Sequence, residues 1–168
     1  IGQLTPLPPP PGAEFPDPVR LAAGAIELEV PTDWKVAEVD HFRHVRLYVT
    51  PEPFPGGVAM TDGVWVSYRA DATLENTAGA LKAAMEQSLP EALPDDAKIL
   101  RRLLIQSSNY PAIESRFVTS VGEQENAVEV RGSHRIISAE WGIVEVHARY
   151  TNDDTALHIA RLIESRGR

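Results

Sequence analysis

Proline is the residue that most restricts what this chain can fold into. Seven of its 14 prolines lie within the first 18 of 168 residues. Proline fixes φ and has no backbone N–H, so the run at residues 8–11 favours an extended polyproline II conformation over any packed element. We therefore assign residues 1–20 to a Pro-rich spacer or disordered tail and residues 21–168 to a single domain.

Charge and composition exclude several classes of function. The chain has 24 acidic and 16 basic side chains, a formal charge of −8, and no cysteine. Nucleic-acid binding requires clustered Lys and Arg, so we expect no nucleic-acid partner. The lack of cysteine excludes thiolate metal centres, cysteine nucleophiles and disulfides. No apolar run reaches the roughly 18 residues of a membrane-spanning helix, so we also expect no transmembrane segment.

Most of the domain has the alternating apolar pattern of β-strands. Ile26, Leu28 and Val30 alternate with glutamates and are stopped by Pro31. Asp62 and Gly63 form the sequence typical of a type I′ hairpin turn. The pattern predicts strands at residues 26–30, 34–39, 45–49, 64–68, 99–106, 113–121, 127–137 and 141–150.

Two segments have the helical period instead. The first is capped by Thr73 and ended by Pro90, and the second is capped by Asp153. The second helix has one apolar face, and His158 and Arg161 lie on the opposite face. Short connections make neighbouring strands antiparallel, so we predict an α+β fold, an antiparallel meander packed by two main amphipathic helices.

The last two strands provide a candidate interaction surface. In both strands most apolar side chains are at even-numbered positions. A three-residue loop at 139–141 would pair Ser138 with Gly142 and so bury the apolar side chains of the two strands on the same face. This register leaves five polar residues on the other face of the sheet: Arg131, Arg135, Glu145, His147 and Arg149. We interpret them as an exposed anion or partner site, and the alternative is an ordinary solvated sheet face.

No catalytic constellation is visible. His41 and His44 have a spacing that shares a face only on a helix, whereas strand patterns flank them. His134 lies on the apolar parity of its strand, which indicates a core histidine. No phosphate-binding or nucleophile-elbow motif is present, and the carboxylates occur in solvated runs. We therefore predict no catalytic residue, cofactor or metal ligand, and no enzymatic activity.

The order of elements resembles the PsbP-like superfamily. The shared features are a first strand running into Pro31 and Trp34, a mid-chain helix, Pro111 and Ala112 before a strand, a long hairpin and a closing helix. Members include photosystem II extrinsic subunits, a Ran-binding protein and DcrB-type envelope lipoproteins. The resemblance implies an interaction module rather than an enzyme, and the acidic, Cys-free chain is most similar to the envelope members.

We therefore predict a non-catalytic interaction or assembly module of an exported, periplasmic or cell-envelope protein. Its partner would be a protein or another envelope component, and the Pro-rich spacer would hold the domain away from an upstream lipid anchor. The alternative is a small-molecule or metal-binding domain. Such a domain would use a cleft between sheet and helix near Trp65 or the His41/His44 loop. For the cellular location of the protein, the alternative is the cytoplasm.

Overall fold

A computed structural model describes residues 18–21, 26–41, 44–51, 61–69, 72–75, 77–105, 111–139, 142–151 and 154–166. These residues form nine strands and two α-helices. The strands are β1 (Pro18–Leu21), β2 (Ile26–Glu29), β3 (Lys35–His41), β4 (His44–Thr50), β5 (Gly63–Arg69), β6 (Lys98–Ile105), β7 (Ala112–Val121), β8 (Val128–Ala139) and β9 (Gly142–Tyr150). The helices are α1 (Ala78–Ala92) and α2 (Thr155–Arg166), and a single 3-10 turn, Gln124–Asn126, precedes β8.

The strands form two antiparallel sheets. Seven of them make one sheet in the order β3-β4-β5-β9-β8-β7-β6, and β1 pairs with β2 in a separate hairpin. The predicted α+β fold with an antiparallel sheet and two helices is confirmed. Strand β1 begins at Pro18, inside the range predicted as a tail, and residues 1–17 lie outside the described residues. No helix in the described part of the chain is long and apolar enough to cross a membrane.

Helix α2 packs on one face of the large sheet. Its predicted apolar face, which includes Ile159 and Ile163, is buried against Val64, Val146 and other strand residues. Strand β2 contacts the same helix and brings Leu28 into this core. His158, predicted on the polar face, is buried as well, because α2 lies between the sheet and the β1–β2 hairpin.

Helix α1 covers the opposite face of the sheet. Leu81 and Met85, one turn apart, pack against Ile113, Ile136 and Ile143. Since each face has its own helix, both faces of the central strands must carry buried side chains.

Both predicted ends of α1 are wrong. The N-cap is Thr77, whose hydroxyl oxygen accepts a hydrogen bond from the Ala80 N–H at 3.2 Å, and Thr73 precedes the helix. Pro90 lies inside the last turn, and the helix ends at Ala92. The Leu93 N–H donates to the Leu89 carbonyl at 3.0 Å and so closes the turn that contains the proline.

The predicted register of the last hairpin is wrong by one residue. Ala139 pairs with Gly142, so the loop has two residues, and Gly142 takes the positive φ of 149° that favours glycine. His134 therefore faces His147, and Ile136 faces Glu145. The prediction assumed that only one face of these strands is buried, whereas helices cover both.

The predicted Asp62-Gly63 hairpin turn is also wrong. Strand β4 ends at Thr50, and Val49 pairs with Val64, so a long connection joins β4 to β5. The Asp62 carboxylate instead accepts a hydrogen bond from the Thr151 backbone N–H at 2.9 Å. The predicted cap of α2, residue 153, lies outside the described residues.

Candidate functional site

Four rings lie side by side on the α1 face of the sheet. Tyr48, Trp65, His147 and His134 are successive register partners on β4, β5, β9 and β8. Their ring centroids are 6.4, 4.2 and 4.2 Å apart, and the Trp65 and His147 rings are nearly parallel, at 9°. Directly opposed cross-strand residues share a face, so the register itself builds this ring row.

Arg149 extends the ring row at one side. It lies two residues beyond His147, on the same face, and its guanidinium carbon is 5.0 Å from the Trp65 ring centroid, within cation–π range. Burial lowers the pKa of Arg149. Its register partner on β8 is Gly132, and the Phe117 ring occupies the space that a side chain there would need.

His134 is the most enclosed member of the ring row. Its Nε2 lies 2.9 Å from the Ser88 hydroxyl of α1, and its Nδ1 lies 3.1 Å from Nδ1 of His147. Burial lowers the pKa of His134 to about 4, so the ring is neutral at pH 7.

One tautomer pair completes the hydrogen bonds of the two histidines and Ser88. In it the Ser88 hydroxyl donates to the Met85 carbonyl at 3.2 Å, and its oxygen accepts from an Nε2–H of His134. Nδ1 of His134 then has a free lone pair, which accepts from the Nδ1–H of His147.

Glu145 brings a carboxylate to the two histidines. Its Oε1 lies 3.7 Å from Nε2 of His134, and its Oε2 lies 3.9 Å from the Arg69 guanidinium. His134, Glu145 and His147 each have one ligand atom, and these three atoms lie within 4.8 Å of one another. Two imidazoles and a carboxylate are a donor set that suits divalent transition metals.

A cleft of about 560 Å³ opens between the ring row and α1. Trp65, His147 and Arg149 form part of its floor, and Glu145 and Arg69 also line it. The other side is made by the second half of α1 and the residues that follow it: Ala84, Gln87, Ser88, Glu91, Ala92, Leu93 and Pro94. The volume lies in the range of small-molecule sites, about 300–1,000 Å³, and the lining combines apolar surface with a few charged groups.

The structure separates the five predicted surface residues. Glu145, His147 and Arg149 lie together in the cleft. Arg135 is buried on the opposite face of the sheet, where its guanidinium lies 3.3 Å from the Glu114 carboxylate, and Arg131 is exposed. The one-residue change of register puts Arg131 and Arg135 on the α2 face and the other three on the α1 face.

The structure also describes the histidines that the sequence singled out. His134 is buried, as the sequence indicated, but it contacts a second histidine in the cleft wall. His41 and His44 are register partners at the ends of β3 and β4, and their side chains lie outside the described part of the structure. Sequence reasoning missed Ser88, which reaches His134 only because α1 crosses β8.

Comparison with known proteins supports the fold alone. No protein-family model and no curated protein matches the chain. The Ran-binding protein Mog1p of Saccharomyces cerevisiae has a similar structure, with 13% identity and a TM-score of 0.52 over 92% of this chain and 93% of that one. A Bacteroides thetaiotaomicron protein is 12% identical with a TM-score of 0.47, over 83% of this chain and 44% of its own. The fold is thus a Mog1/PsbP-like α+β fold, as the resemblance implied.

Proposed function

We propose that this protein is a non-catalytic binding domain whose site is the cleft between α1 and the ring row. The observation that carries the proposal is the cleft itself, which opens on the α1 face beside the helix, above an organised row of rings. This proposal corresponds to the alternative function expected from the sequence, a small-molecule or metal-binding domain, with Trp65 rather than the His41/His44 loop as the proposed position of the site.

The lining indicates what kind of molecule would bind. Leu74, Ile136 and Ile143 provide apolar contacts, and Arg149 places a guanidinium beside Trp65. A small amphipathic molecule with an apolar or aromatic body and an anionic group matches these features.

The anionic aromatic dye 1-anilinonaphthalene-8-sulfonate tests the proposal, with a chelator present throughout. Gln87 and Ala83 are both exposed on α1, but only Gln87 lines the cleft. We expect Gln87→Trp to weaken dye binding by at least about tenfold, or about 1.4 kcal/mol, and Ala83→Trp to leave it unchanged. Circular dichroism would establish that both variants are folded. Equal affinity in both variants would contradict the cleft as the site.

A protein partner is the second candidate. It is supported by the structural similarity to Mog1p, a Ran-binding protein, over 92% of this chain, and by the order of elements that resembles the PsbP-like superfamily. Of the predicted surface residues, Arg131 is the one that stays exposed. A charge reversal, Arg131→Glu, that weakens capture of a protein partner from a cell-envelope extract while sparing dye binding would favour this function and an exported setting.

A further inference from the structure

We propose that His134, His147 and Glu145 form a binding site for a divalent first-row transition cation in the wall of the cleft, where Glu145 and His147 line it and His134 lies buried behind them. This inference deepens the proposed function, because it rests on the cleft being the binding site and names a class of ligand for it. Within the described residues, these three side chains converge from two neighbouring strands that the hairpin register aligns.

The two imidazoles already have the separation of a metal-bound pair. Their Nδ1 atoms lie 3.1 Å apart. With metal–nitrogen bonds of about 2.0–2.1 Å, ligand atoms at right angles are about 2.9 Å apart and tetrahedral ones about 3.3 Å apart. The Nδ1–Nδ1 distance therefore fits a shared cation without separating β8 from β9. The ring planes are inclined at 30° with centroids 4.2 Å apart, so both rings would rotate about their side-chain bonds to direct their lone pairs at the cation.

The surroundings of His134 prepare it as a ligand. Its Nε2 lies 2.9 Å from the Ser88 hydroxyl, and in the tautomer that donates Nε2–H to Ser88 the lone pair of Nδ1 is directed toward His147. Metal-ligating histidines generally donate the other ring N–H to a fixed acceptor in this way, which sets the tautomer and the orientation of the ring.

His147 changes tautomer on binding. Its Nδ1 proton is lost to solvent and Nε2 takes up a proton, so that Nδ1 donates its lone pair to the cation and the net charge of the ring is unchanged. Glu145 supplies the negative charge. Its Oε1 now lies 3.7 Å from Nε2 of His134, so the carboxylate must turn toward the Nδ1 side to reach the cation. The Glu145 side chain is 19% exposed and that of Arg69 is 36% exposed, so Arg69 can turn to solvent when the carboxylate moves. Glu145 and His147 line the cleft, which leaves the remaining coordination positions facing it.

Cobalt(II) and zinc(II), added to the full chain after chelation and dialysis, test the site. Calorimetry should show one ion per chain, and the visible bands of cobalt should intensify as it leaves its hexaaquo complex. Zinc should also raise the Tm, because it binds only the folded site.

Substitutions locate the ion. We expect His147→Gln to abolish binding and Glu145→Gln to weaken it by at least about tenfold. Glu86→Gln is the matched control, since Glu86 is an exposed α1 carboxylate paired with Arg102. Glu145 is on the rim of the cleft, so its variant should remain folded by circular dichroism even if a histidine variant does not.

Three results would overturn the metal site: no ion bound at millimolar concentration, binding unchanged in Glu145→Gln and His147→Gln, or binding lost in the His41→Ala/His44→Ala double variant. None of these bears on dye binding, which is measured with a chelator present. Failure of the metal site is thus distinguishable from failure of the cleft.

Discussion

Arg135 and Arg131 lie on the same face of β8, the α2 face, and allow a buried ion pair to be compared with an exposed one. Each arginine has a carboxylate partner, Glu114 at 3.3 Å for Arg135 and Glu129 at 3.6 Å for Arg131. The side chains of the first pair are 7% and 2% exposed, and those of the second are 60% and 65% exposed. Without Arg135 the buried Glu114 carboxylate keeps Arg116, whose Nε lies 3.6 Å away, so Arg135→Ala should cost about 1.5–3 kcal/mol, the range of a lost hydrogen bond to a charged group. Arg131→Ala should cost about 0–1 kcal/mol.

Urea unfolding followed by tryptophan fluorescence measures both costs, since the chain has three tryptophans. The double variant Arg135→Met/Glu114→Leu is the control for the charge. It should recover much of the lost stability, because apolar residues of similar volume often replace a buried pair at little cost. If Arg135→Ala and Arg131→Ala lowered the free energy of unfolding by the same small amount, this would contradict the burial of Arg135. The sequence prediction that Arg131 and Arg135 share one exposed interaction surface would then hold.

Two further predictions concern the α1 face of the sheet. Gly132→Ala places Cβ 2.4 Å from Cζ of Phe117 and should cost at least about 1–3 kcal/mol, whereas Gly79→Ala, with no atom within 4 Å of its Cβ, should be neutral or stabilise by up to about 1 kcal/mol. The same sign and size for both in urea unfolding would refute the Phe117 contact. Without metal, the folded-state pKa of His134 is about 4 and the unfolded value is 6.5, so the unfolded chain binds the extra proton between them. The contribution of His134 to stability should therefore be constant above about pH 6.5 and about 3 kcal/mol lower by pH 4. Burial also lowers the pKa of His158, which adds a loss of the same sign. His134→Gln should lose the His134 part of the pH dependence, and an unchanged curve in that variant would show that another group is responsible.

Strand positions were predictable because apolar alternation is a local signal. The predicted strand at residues 113–121 became Ala112–Val121, and that at 45–49 became His44–Thr50. The ends of helices are harder to predict, because neighbouring residues can be equally suitable caps. Thr73 and Thr77 are equally good caps by residue type, and the structure uses Thr77, which leaves Leu74 outside the helix to pack against the α1 core.

The site was predictable only in part, because it depends on register and on which helix covers which face. Parity alone grouped Glu145, His147 and Arg149 correctly. It could not bring His134 to His147, because that pairing requires the two-residue loop at 140–141.

A ¹H–¹⁵N correlation spectrum of the full chain, titrated with 1-anilinonaphthalene-8-sulfonate in the presence of a chelator, shows directly whether the cleft is the binding site. We predict that the largest shifts occur at the Trp65 indole N–H, at the second half of α1 and at Glu145 and His147 of β9, which all line the cleft. Amides of α2 and β2, on the opposite face of the sheet, should remain in place. Shifts concentrated on α2 and β2, with the Trp65 indole unmoved, would contradict the account.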